Sequence, residues 1–89
     1  MAFDWDPNKA QSNLRKHGVS FEAATKVFDD PAPLEIPDDC IDEERSRYIG
    51  RVGHAILFVV YTERGDDIRI ISARKATPSE EEAYYQQAG

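Results

Sequence analysis

The chain has a single cysteine, no long hydrophobic run and no linker rich in glycine, serine or proline. With only Cys40 present, an intrachain disulfide and a cysteine-based metal cluster are excluded, and a reducing compartment, the cytoplasm, is favoured. No apolar segment approaches the ~20 residues that a membrane-spanning helix needs. The first residues lack the basic and apolar regions of a signal peptide, so we expect no secretory leader.

The length of 89 residues predicts one domain, residues 1–89, with a single hydrophobic core. The net charge of −6 argues against strong non-specific binding to nucleic acid. Of the 17 acidic side chains, however, eight lie within residues 29–44, which contain no lysine or arginine. The other nine acids are outnumbered by 11 bases, a net charge of +2, so the composition allows a local basic surface.

Two helices are predicted near the N-terminus, after a short edge strand at Phe3–Trp5. Asp6-Pro7 is typical of a helix start and Gly18 of a helix end. Ser20 then caps a second helix that ends before Pro31. The helical spacing predicts that the following side chains are buried: Ala10, Leu14 and His17 in the first helix, and Phe21, Ala24, Val27 and Phe28 in the second.

The strongest strand signal is at residues 55–74. Ala55–Tyr61 is apolar at seven successive positions, which is typical of a central strand covered on both faces. Thr62–Asp66 fits a hairpin loop of four or five residues with Gly65 at a positive φ, and the returning strand ends near Arg74.

The remaining segments complete an α+β pattern. Arg45–Val52 alternates as a strand, and one of its sides carries Arg45, Arg47, Ile49 and Arg51. Pro33–Pro37 is predicted to be an edge strand and Asp38–Glu44 an acidic loop. Thr77–Glu80 matches a capping box that opens a last helix with Ala83, Tyr84, Tyr85 and Ala88 on its apolar side. We therefore expect two N-terminal helices and a C-terminal helix packed on a mostly antiparallel sheet.

Three segments together resemble the BrnT family of ribonuclease toxins: FDWDPNKAQSNLRKHGVSFEAATKVF, the ER pair at 44 and 45, and YTERGDDIRIISARKAT. The resemblance implies a RelE-like fold, RNA cleavage without a metal or other cofactor, and inhibition of translation. It also implies neutralisation by a ribbon-helix-helix antitoxin of the BrnA type in a dimeric complex that represses the shared operon. The sequence departs from the family at Pro78–Glu82, an acidic run where the family usually has a basic one.

Metal-free RNA cleavage requires a stabilised phosphorane, and arginine suits that role because its planar fork binds two phosphate oxygens. We predict that Arg64 and Arg74 together hold the scissile phosphate, with Arg69 as a weaker candidate that contacts the substrate. The alternative is that Arg64 and Arg74 form ordinary ion pairs with nearby acids, for which Glu63, Asp66 and Asp67 are available.

His17 is the candidate general acid or base because imidazole titrates near neutral pH, although its predicted helix face also fits a packed structural histidine. Lys16 is a candidate phosphate contact. Ser72 is expected to position the backbone or a phosphate, and Tyr85 to stack on a base or, alternatively, to pack in the core. The acidic pairs lack a third ligand at useful spacing, so no magnesium site is expected.

A second interpretation is a catalytically weak homologue that binds its antitoxin and tunes repression, which the acidic start of the last helix favours. Direct DNA binding is disfavoured because Asn8–Lys16 is the only basic helical stretch, and it is short. For the enzyme, we expect the antitoxin to inhibit by covering the groove that contains Arg64 and Arg74.

Overall fold

The computed structural model describes residues 2–36 and 45–88. These residues form one five-stranded sheet with the order β1-β5-β4-β3-β2. The first strand pairs in parallel with the last, and all other neighbours are antiparallel, so the sheet is mixed and mostly antiparallel as predicted. The predicted loop Asp38–Glu44 lies outside the described residues. The strands are β1 (Phe3–Asp4), β2 (Leu34–Ile36), β3 (Arg45–Val52), β4 (Ala55–Arg64) and β5 (Asp67–Lys75).

The helices form two layers, one on each face of the sheet. The first layer contains α1 (Pro7–His17), α2 (Phe21–Thr25) and the 3-10 helix Lys26–Asp29, and it packs on the face that carries Leu57, Val59 and Tyr61. The second layer is α3 (Pro78–Ala88), whose Tyr84 packs with Ile49 and Ile56 on the opposite face. None of the helices in the described ranges is long and apolar enough to span a membrane.

The ends of α1 follow the sequence signals, but its buried side does not. The Asp6 carboxylate accepts a hydrogen bond from the Asn8 backbone N–H at 2.8 Å, and Gly18 has a φ of 70°. Ala10 is partly buried against the core, but Leu14 is 50% exposed and His17 is exposed, so the predicted apolar stripe is wrong at these two positions. Asn13 is buried instead, because its side-chain amide hydrogen-bonds to backbone groups of the β5 strand and of the α1–α2 joint.

The predicted stripe of α2 is largely correct. Phe21, Ala24 and Val27 are fully buried, and Phe28 is half-buried among aromatic rings. Gly50 of β3 permits this packing, since a Cβ atom there would lie 3.1 Å from Val27 Cγ1. The 3-10 helix therefore approaches the sheet more closely than any larger residue at position 50 would allow.

The β4–β5 hairpin is tighter than the sequence predicts. Thr62 and Glu63 continue the β4 strand and pair with β5, which leaves Gly65-Asp66 as a two-residue turn. Gly65 has a φ of 62°, as the first position of such a turn requires. The predicted loop of four or five residues is wrong because backbone pairing outweighed the polar character of the sequence.

The start of α3 is the predicted capping box. The Glu80 N–H donates to Thr77 Oγ1 at 3.2 Å, and the Thr77 N–H donates to Glu80 Oε1 at 2.9 Å. On the predicted apolar side, Tyr84 is buried, whereas Ala83 is exposed and Tyr85 is 49% exposed. The helix is thus anchored by its N-terminal turn and by one aromatic ring.

Candidate functional site

Arginines from neighbouring strands share the sheet face opposite α1 and α2. Thr62 of β4 lies between Arg45 of β3 and Arg69 of β5. One pair further along, Val60 lies between Arg47 and Ser72. Residues directly opposite each other in antiparallel strands point to the same face of the sheet. We call this surface the arginine face, formed by Arg45, Arg47, Val60, Thr62, Arg69, Ser72 and Arg74.

Arg74 of this face is held by several contacts. Its Nη1 and Nη2 atoms donate to the two carboxylate oxygens of Glu80 at 2.8 and 3.0 Å, a bidentate ion pair. The guanidinium lies over a ring, with its Cζ atom 4.2 Å from the Phe58 centroid. Nη1 also donates to the Lys75 carbonyl oxygen at 3.2 Å. Strand β4, strand β5 and helix α3 together fix the orientation of this side chain.

The Arg74–Glu80 pair shifts the titration of both groups. The hydrogen bond from Arg74 holds the pKa of the Glu80 carboxyl below its usual value, despite the opposing effect of burial. The same hydrogen bond raises the pKa of Arg74. Both groups are therefore charged at neutral pH. The Arg74 guanidinium binds the planar Glu80 carboxylate through two hydrogen bonds, the geometry in which arginine also binds phosphate.

Arg64 does not join this site. Its strand partner is Asp67, at the hairpin end of β4, whereas Arg74 pairs with Phe58. Arg64 lies six residue steps along β4 from Phe58, which corresponds to ~20 Å at a rise of ~3.3 Å per residue. Arg74 also extends toward α3, away from the hairpin. The expected convergence of the two arginines on a single phosphate is therefore wrong, although both lie on the same face of the sheet.

Arg69 and Ser72 lie on the arginine face as neighbours of Arg74 along β5. Arg69 forms an ion pair with Asp4 of β1 at 3.2 Å, and the Asp4 side chain is 63% exposed. An exposed pair of this kind contributes little to stability and is open to exchange with another anion.

Lys16 and His17 lie elsewhere. Both are exposed in the last turn of α1, in the layer that covers the opposite face of the sheet. The structure does not bring them onto the arginine face. The alternative of a packed structural His17 is wrong, because the side chain is exposed to solvent.

Tyr85 of α3 contacts a second arginine, Arg51 near the end of β3. Its hydroxyl accepts a hydrogen bond from Arg51 Nη2 at 3.1 Å, and the Arg51 Cζ atom is 5.7 Å from the ring centroid. Tyr84 therefore packs in the core, whereas Tyr85 does not. Arg51 also lines an open groove of about 570 Å³ together with Lys26, Asp29, Asp30 and Tyr84.

Several residues of this surface were not identified as site residues from the sequence. The alternation of β3 already placed Arg45 and Arg47 on one side, but nothing local indicated that β5 would present Arg69 and Arg74 beside them. The signal for Glu80 was the capping box, which indicates a helix start and not a partner for an arginine. Phe58 looked like an ordinary residue of a central strand.

The chemistry of the described residues and the comparisons with known proteins limit what the site can be. Within residues 2–36 and 45–88, no group of three histidine, cysteine, aspartate or glutamate side chains is placed to hold a metal ion. No curated protein matches the chain. A sequence model of one family matches residues 5–80, and that family is described as the ribonuclease toxin, BrnT, of type II toxin-antitoxin systems.

Proposed function

The chain belongs to the BrnT family of ribonuclease toxins of type II toxin–antitoxin systems, and we propose that it cleaves RNA in the cytoplasm without a metal ion and thereby inhibits translation. We also propose that its α+β fold is RelE-like and that a cognate antitoxin holds it inactive. The observation that supports the site is the bidentate contact between the charged guanidinium of Arg74 and the planar carboxylate of Glu80, on a sheet face that carries further arginines.

The proposed reaction is a transesterification. The 2′-hydroxyl loses its proton and attacks the adjacent phosphorus, and the bond from phosphorus to the 5′-oxygen breaks as that oxygen gains a proton. The products are a 2′,3′-cyclic phosphate and a 5′-hydroxyl end. Arg74 stabilises the negative charge that develops on the non-bridging oxygens, which is the contribution that a positioned guanidinium makes best. His17 lies in the layer on the other side of the sheet from Arg74 and is not beside the scissile phosphate, so in this proposal water takes the proton of the 2′-hydroxyl and supplies one to the 5′-oxygen.

The RNA backbone is proposed to follow the arginine face. Arg69 contacts a neighbouring phosphate by exchanging its exposed partner Asp4, and Ser72 hydrogen-bonds beside it. Arg64, at the far end of the face, binds a phosphate well away from the scissile one. Lys16 and Tyr85 extend the contacts at the borders, the first with a phosphate and the second by stacking on a base.

The antitoxin is proposed to be a ribbon-helix-helix protein of the BrnA type that assembles with this chain in a dimeric complex. A surface with several arginines is complementary to an acidic segment, which would exclude RNA by occupying the same cations. Inhibition would then require contact with Arg69 and Arg74, and no longer with a single groove shared by Arg64 and Arg74.

The direct test is incubation of the purified chain with end-labelled RNA in the presence of a chelator. The wild-type chain is expected to cleave, and Arg74→Ala is expected to lose most activity while keeping its circular-dichroism spectrum. Arg15→Ala is the matched control, since Arg15 is an exposed arginine on α1. Absence of cleavage by the wild-type chain would overturn the proposed activity, and full activity in Arg74→Ala would remove Arg74 from the site.

One observation favours the second candidate, a weakly active homologue that acts by binding its antitoxin. Glu80 already neutralises Arg74, the best-placed cation of the face. Induced expression without the antitoxin separates the two candidates. Growth arrest with RNA decay supports the nuclease, whereas harmless accumulation of folded protein supports the binding module.

A further inference from the structure

The guanidinium of Arg74 has five N–H donors, and the structure uses three of them. One Nη1–H and one Nη2–H bind Glu80, and the other Nη1–H binds the Lys75 carbonyl oxygen. Among the described residues, no partner is recorded for the Nε–H or for the second Nη2–H. These two donors point along the same edge of the planar group and form a second fork, equivalent in shape to the one that Glu80 occupies.

We infer that Glu80 is a positioning residue for Arg74, and that the scissile phosphate binds the second fork, Nε and Nη2, without displacing the carboxylate. This inference rests on the proposed nuclease function and adds to it the residue that orients the catalytic cation. The Arg74 side chain is 35% exposed, so a ligand can reach the guanidinium while the ion pair stays intact.

The carboxylate is held too firmly to be the group that leaves. Glu80 Oε1 accepts hydrogen bonds from both Arg74 and the Thr77 N–H, and the Glu80 side chain is only 21% exposed. Displacing it would break the ion pair and half of the capping box together. Binding at the second fork breaks neither, because it uses donors that make no hydrogen bond within residues 2–36 and 45–88.

Phe58 restricts the guanidinium in the remaining direction. The guanidinium lies over the Phe58 ring, with Cζ 4.2 Å from its centroid, so the ring limits its movement toward the sheet while the two hydrogen bonds to Glu80 fix its orientation. A fork held in this way loses little side-chain entropy when phosphate binds. The organisation of one catalytic cation by a neighbouring carboxylate accounts for the acidic residue at the start of α3.

The test compares Glu80→Gln with Glu81→Gln in single-turnover cleavage of labelled RNA. Both variants change the net charge equally at adjacent positions, but Glu81 is exposed and forms no hydrogen bond with Arg74. Glutamine also preserves the capping box. For Glu80→Gln we expect the maximal cleavage rate to fall about 10- to 100-fold, as misplacement of a catalytic group does, with RNA affinity changed less than threefold. Glu81→Gln should cleave like the wild-type chain.

Three results would overturn the inference. A Glu80→Gln variant that binds RNA more tightly and cleaves faster would show that Glu80 competes with phosphate. Unchanged rate and affinity would show that the ion pair only stabilises the fold. A lower thermal midpoint of Glu80→Gln, with normal cleavage kinetics at temperatures well below that midpoint, would show the same.

The variant Glu80→Asp has a shorter carboxylate that can keep the charge but not both contacts. It should recover only part of the rate. If the wild-type chain itself does not cleave, the proposed function fails before Glu80 is in question.

Discussion

Asn13 of α1 pairs with the backbone of Ala73 in β5 much as a neighbouring strand would. The side-chain nitrogen donates to the Ala73 carbonyl oxygen at 2.8 Å, and the side-chain oxygen accepts from the Ala73 N–H at 3.2 Å. The same nitrogen donates to the Val19 carbonyl oxygen at 2.9 Å. One buried amide thus joins the first helix, the joint that follows it and the strand that carries Arg74.

Replacing this amide should destabilise the fold more than any exposed polar substitution on α1. Asn13→Ala leaves the Ala73 N–H and two carbonyl oxygens buried without partners, which costs about 2–3 kcal/mol of the free energy of unfolding. Gln11→Ala is the control, because Gln11 is exposed on the same helix. Urea unfolding followed by circular dichroism measures both. Equal midpoints for the two variants would contradict the structural role of Asn13.

The Arg74–Glu80 pair predicts how stability depends on acid. The pKa of Glu80 is lower in the folded chain than in the unfolded chain, so the ionised form stabilises the fold. This contribution is complete above the unfolded pKa and is lost as the pH falls through the lowered folded pKa. The difference in unfolding free energy between the wild-type chain and Glu80→Gln should therefore be about 1 kcal/mol at pH 7 and shrink toward pH 3. Glu81→Gln, which leaves the Arg74–Glu80 pair in place, is the matched control.

The hydrogen bond between Tyr84 and Asp30 predicts how the stability of the fold changes at alkaline pH. The Tyr84 hydroxyl donates to the Asp30 carboxylate, which, together with burial, raises the pKa of Tyr84 to about 12. Stability from this hydrogen bond is complete below the unfolded pKa and is lost as the pH rises through the folded value. Burial also raises the pKa of Tyr61, so an ultraviolet titration should show two of the four tyrosines ionising late in the wild-type chain, and the late transition of Tyr84 should be missing in Tyr84→Phe while that of Tyr61 remains. Tyr85→Phe should retain both late transitions.

The close approach of Val27 to Gly50 predicts that a larger residue at position 50 destabilises the fold. In Gly50→Ala, the new methyl group would lie 3.1 Å from Val27 Cγ1 and 3.5 Å from Asp30 Oδ2, so the 3-10 helix must shift away from β3. Overpacking of this kind costs about 1–3 kcal/mol. Val27→Ala removes the clashing atom, so the double variant should lose less stability than the sum of the two single variants. Additive losses measured by thermal unfolding would rule out this contact as the cause.

The sequence predicted the elements of the fold better than their pairing. Capping residues such as Asp6, Gly18 and Thr77 give local signals that no tertiary contact overrode, and the bounds of β3 followed directly from its alternation. The burial of Asn13 was missed because a hydrogen-bonded amide in the core leaves no hydrophobic pattern. The hairpin loop was predicted too long because polar residues at a strand end still pair through their backbone.

The site was predicted less completely than the fold. Arg74 and Arg69 were identified as candidates, but their surroundings depend on the register of β4 and β5, which shifts at Val60 and Tyr61. Such an irregularity has no signature in residue type, and it decides which β5 side chains share a face with Phe58. Arg74 lies on a strand and Glu80 lies at the start of the following helix, so neither the strand period nor the helix period predicts that the two side chains meet.

The parallel pairing of Phe3 with Ile68 has a consequence for synthesis. The earliest residues of the chain find their place only beside the last strand, and α1 is likewise secured by Ala73. On the ribosome, the sheet is therefore complete only after β5 has emerged. The arginine face, which includes Arg69, Ser72 and Arg74 of β5, forms no earlier than that.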